Sequence, residues 1–138
     1  MMMKWFCRMV VMGWLVLGSG LALAEGAKVV CQYHYGGEDK EWVASPTQDP
    51  LAVPYEKVGT WFLVKMIFRE QPADLAMVKI IVAGNGDDGP VIVHQANYAY
   101  PAATVSRGPH GFTGLNFVYE PALNGEFIYW CRMAGEHS

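Results

Sequence analysis

The chain has 138 residues, with 10 Lys and Arg against 13 Asp and Glu, a formal net charge of −3, and 52% hydrophobic residues. A mildly acidic balance argues against nucleic acid as a partner, because phosphate recognition needs clustered Lys and Arg, and against adhesion to anionic lipid. The length suits one compact domain with a core of its own.

In chain order, residues 1–24 read as a cleaved signal peptide. Lys4 and Arg8 form a positive n-region, and residues 9–17 form an apolar run too short to span a bilayer. Ala22-Leu23-Ala24 supplies the small residues that a signal peptidase reads. Cleavage is expected before Glu25, making residues 25–138 a single exported domain of the periplasm or the extracellular space. Cys7 precedes the apolar run and leaves with it, so it is not a lipid-bearing cysteine. Loss of Lys4 and Arg8 takes the net charge from −3 to −5. No second long apolar run follows, so no transmembrane segment is expected after signal removal.

The mature chain carries patterns of period two and almost none of period 3.6. Residues 29–35 alternate Val29, Cys31, Tyr33 and Tyr35 against Val30, Gln32 and His34. Gly36-Gly37 turns the chain into a short strand, residues 40–44, centred on Trp42. Pro46, Pro50 and Pro54 make residues 45–57 an ordered surface loop, since each proline removes a donor and restricts the residue before it. Residues 60–69 follow, with Phe62, Val64, Met66 and Phe68 on one face. The glycine-rich turn at residues 84–89 joins strands 75–83 and 90–98, both apolar on two faces and therefore expected to be central. Residues 101–114 form a second long loop. The last hairpin, residues 115–120 and 126–133, is expected to turn Leu115, Phe117 and Tyr119 inward, with Phe127, Tyr129 and Cys131.

Seven short strands at this spacing predict an all-β fold, an antiparallel immunoglobulin-like β-sandwich. Cys31 lies in the first strand and Cys131 in the last, both on inward phases. Two cysteines in a small exported domain predict one disulfide joining those strands.

Chemistry is sparsely marked. His94 and His110, with His34 and then Met133 as further donors, define a copper-site expectation, because imidazole and thioether suit copper. The spacing contains no His-x-His or Met-x-x-Met, and His137 adds nothing to it. Asn85, Asp87 and Asp88 sit in a turn that lacks the distal glutamate of a calcium loop. Ser106 and His110 are close in sequence, but no nucleophile elbow, paired carboxylate cleft or phosphate loop accompanies them, so the chain is read as no enzyme.

The aromatic residues carry the remaining signal. Trp42, Trp61, Tyr55, Tyr98 and Tyr100 lie on or near the two loops, and Arg107 is available for a carboxylate. The expected function is a non-enzymatic binding module whose two long loops contact a protein or small-molecule partner in the cell envelope. Copper binding is the alternative, and a small hydrolase the second alternative.

Overall fold

The computed structural model describes residues 26–101 and 108–135. The expected leader, Ser106, Arg107 and His137 lie outside them. Eight strands form two antiparallel sheets: β1 (Lys28–Tyr35), β2 (Glu38–Ala44), β3 (Glu56–Val58), β4 (Phe62–Arg69), β5 (Met77–Gly86), β6 (Gly89–Ala99), β7 (Asn116–Glu120) and β8 (Gly125–Ala134). The first sheet has the order β2-β1-β8-β7 and the second the order β3-β4-β5-β6. This is the expected antiparallel sandwich.

Local chemistry explains the turns. Gly36 and Gly37 both take positive φ, 62° and 81°, the geometry a two-residue hairpin loop needs, and they let β2 begin at Glu38. The additional strand, β3, lies within the proline-rich segment. It pairs Glu56 with Val64 and Val58 with Phe62, and three residues are too few to show a period.

Cys31 and Cys131 form the expected disulfide. Their strands are the two central neighbours of the first sheet, and the cysteines face one another directly in the register. Closing a separation of 100 residues contributes about 4–5 kcal/mol in the chain-entropy account. Met66 reaches across from β4 in the other sheet, its sulfur 3.1 Å from Cys31 Sγ. Around this contact Phe62, Phe68, Ile80, Val82, Phe127 and Tyr129 are all almost fully buried. The rings of Phe62 and Phe127 meet between the layers at 5.4 Å.

Two expectations about strands are corrected. Strand β6 is not central: among the described residues it has only β5 beside it, and Val91, Ile92 and Val93 are 61%, 54% and 43% exposed. A β-bulge at Val82/Ala83 shifts the register there. The phase of β7 is also reversed. Val118 and Glu120 point inward, while Phe117 and Tyr119 face solvent. The inward Glu120 carboxylate is fully buried and accepts hydrogen bonds from the Tyr35 hydroxyl (3.1 Å) and the Leu123 amide (2.8 Å). A buried acid so satisfied is tolerated, and it holds the opposite phase in place.

Candidate functional site

Trp42 lies opposite Cys31 on β2 and projects to the inner side of the first sheet. Its ring stacks on Tyr33 with centroids 4.1 Å apart and also touches Phe127 at 5.7 Å. Beside it, at the β2 and β3 edges of the sandwich, is a cavity of about 200 Å³. Val64, Met66 and Phe68 of β4 form the floor, and Val53 and Pro54 of the proline-rich segment close over it. Ser45, Thr47 and Glu56 place polar groups at its margin.

The segment over the cavity is held by its own hydrogen bonds. The Thr47 amide donates to the Phe68 carbonyl at 2.8 Å, tying the loop to β4. The Asp49 amide donates to Thr47 Oγ1 at 3.2 Å, and Asp49 Oδ1 accepts from the Leu51 amide at 3.1 Å. Such side chain-to-backbone turns, together with three prolines, fix the part of the segment that precedes β3. The cavity is therefore preformed, apolar on most sides, with a few polar groups at one side. That is the composition of a small-molecule site.

The other aromatic candidates are placed differently. Tyr55 lies under Lys65, whose Nζ is 4.6 Å from the ring centroid. Trp61 packs edge-on to Phe62 at 5.0 Å and covers Gly84, where a Cβ would fall 2.4 Å from the indole. Tyr98 meets Phe112 at 5.4 Å, and Tyr100 meets Phe68 at 4.9 Å, both edge-on. Trp61, Tyr98 and Tyr100 cover flanks of the core, and of these five aromatic candidates Trp42 alone lines the cavity. Arg107 lies outside the described residues.

The histidines are spread over different layers. His94 turns inward from β6, and its Nε2 lies 2.7 Å from the hydroxyl of Tyr129, which also hydrogen-bonds Tyr98. Burial holds the His94 pKa below its ordinary value, which favours the neutral ring in this hydrogen bond with the Tyr129 hydroxyl. Burial likewise raises the Tyr129 pKa. His34 is on the outer face of the first sheet, its Nδ1–H donating to Asp39 at 2.8 Å. His110 packs against Trp130. Met133 is on β8, half-buried against the core. Among the described residues, no three His, Cys, Asp or Glu side chains gather closely enough to hold a metal.

Sequence reasoning placed Val64, Met66 and Phe68 in the core but did not see that they also floor a cavity. Pro54 was expected only as a loop former and Val53 was not singled out; their place over the cavity depends on where the loop folds back. No family model, curated protein or solved structure matches the chain. Among the described residues, no helix is long and apolar enough to cross a membrane.

Proposed function

We propose that the chain is an exported, non-enzymatic binding module of the periplasm or extracellular space. It takes a small apolar ligand about the size of one aromatic ring between its two sheets. The observation that carries this reading is the preformed cavity of about 200 Å³ walled by Trp42, Val53, Pro54, Val64, Met66 and Phe68. A dry apolar cavity of about 150 Å³ is enough to hold benzene. The buried disulfide fits an oxidising compartment, where such bonds persist.

The ligand's ring would lie against Trp42, and a polar substituent would reach Thr47 or Glu56. Little ordering accompanies binding, because the loop is already tied down, and preorganisation of this kind favours affinity. Calorimetric titration with indole tests the reading. Saturable binding is expected for the parent protein, with loss in Ala44→Phe, which fills the cavity from β2, and weakening in Trp42→Ala. Equal binding by the parent and Ala44→Phe would refute it.

A further inference from the structure

The outer face of the first sheet holds a second, differently built surface. Phe117 and Tyr119 are 56% and 57% exposed there, and Leu115, just before β7, is 41% exposed. The register sets Phe117 beside Ile128, Ile128 beside His34, and His34 beside Asp39. The neighbouring row sets Trp130 beside Gln32 and Gln32 beside Glu41. A depression of about 330 Å³ lies between the halves, with Leu115, Ile128 and Trp130 on one flank and Gln32, His34 and Asp39 on the other. Two of the rings are held in place. His110 packs edge-on against Trp130 at 5.9 Å, and the Tyr119 hydroxyl donates to Asn124 Oδ1.

The carboxylates of the polar flank are held by neighbouring donors. His34 Nδ1–H donates to Asp39 at 2.8 Å, and Glu41 accepts from the Gln32 amide with Arg132 at 3.8 Å. A carboxylate can only accept, so Nδ1 of His34 is the donor in this pair. The flank thus offers amide, imidazole and carboxylate heads as hydrogen-bonding groups beside the apolar stripe. The complementary ligand is flat, apolar on one face and ringed by hydroxyls that both donate and accept, which describes a pyranose. Successive same-face residues are about 7 Å apart along a strand, so the stripe from Trp130 past Ile128 and Phe117 to Tyr119 extends beyond one ring.

We propose that this face binds a glycan chain of equatorially linked pyranoses. Their C–H faces rest on Trp130 and Phe117, and their hydroxyls reach Gln32, His34 and Asp39. Titration of the exported protein with cellohexaose and with chitohexaose tests it. Saturable binding to at least one of them is expected, weakened about tenfold in Trp130→Ala, the scale of one lost ring contact. Phe117→Ser should weaken it too, and Trp42→Ala, in the separate cavity, should leave it unchanged. Thermal melting of each variant distinguishes lost binding from lost fold, and Phe117→Ser serves as the test if Trp130→Ala does not fold. The proposal is overturned if neither hexasaccharide binds at millimolar concentration, or if both outer-face variants bind like the parent. It is equally overturned if the protein is a dimer that Phe117→Ser converts to monomers, since the face is then covered by a second copy.

Discussion

His94 is half-buried between the sheets, with Tyr129 on its Nε2 and Tyr98 beyond. Desolvation lowers its pKa in the folded chain, whereas an unfolded histidine titrates near about 6.5. Below that point the unfolded state binds the proton more readily than the native state, so folding loses free energy. The contribution is fully present above the ordinary imidazole range and is lost as pH falls from there to the depressed native value. Urea unfolding between pH 8 and pH 5 should therefore show a decline in stability that His94→Gln makes shallower. An identical pH slope in the variant would mean that His94 is not the group responsible. His94, a candidate copper ligand on its residue type, takes a packed, hydrogen-bonded position in the strand that carries Val91-Ile92-Val93.

At the level of elements, β8 owes part of its order to a chain segment that is not a strand. Gly111 forms a parallel bridge with Cys131, and Phe112 N–H donates to the Cys131 carbonyl at 3.0 Å. Thr113 Oγ1 accepts from the Cys131 amide at 2.8 Å. Gly111 has φ of 59°, and a Cβ there would lie 2.1 Å from the Cys131 carbonyl oxygen. Backbone strain and the clash act together, so Gly111→Ala should cost more than about 1 kcal/mol. Chemical denaturation measures it, and a neutral substitution would show that the segment shifts freely. Period-two patterning made the strands around Cys31, Phe62 and Phe127 legible, because one face there is apolar and the other mixed. It failed for β7, where Phe117-Val118-Tyr119 is apolar on both faces and only the pairing of Glu120 with Tyr35 and Leu123 decides the phase. It failed for β6 because an apolar strand reads the same at an edge as at a centre.

Across the whole molecule, the disulfide and the cavity meet on β4. The central strands β1 and β8 carry the disulfide, and β4 backs it with Met66 and Phe62. The cavity adjoins that centre at the β2 and β3 edges: Met66 lines it while its sulfur touches Cys31 Sγ, and the proline-rich segment bridges the layers there. The prolines announced an ordered loop in the sequence. The cavity beneath it was not legible, because it arises from the return of Val53 and Pro54 onto β4, a contact set by tertiary folding. The most direct test is nuclear magnetic resonance of the methionine methyl groups during titration with indole. Met66 lines the cavity, whereas Met77 and Met133 do not. The Met66 signal should shift saturably while those of Met77 and Met133 remain in place; an unmoved Met66, or equal movement of all three, would contradict a ligand site between the sheets.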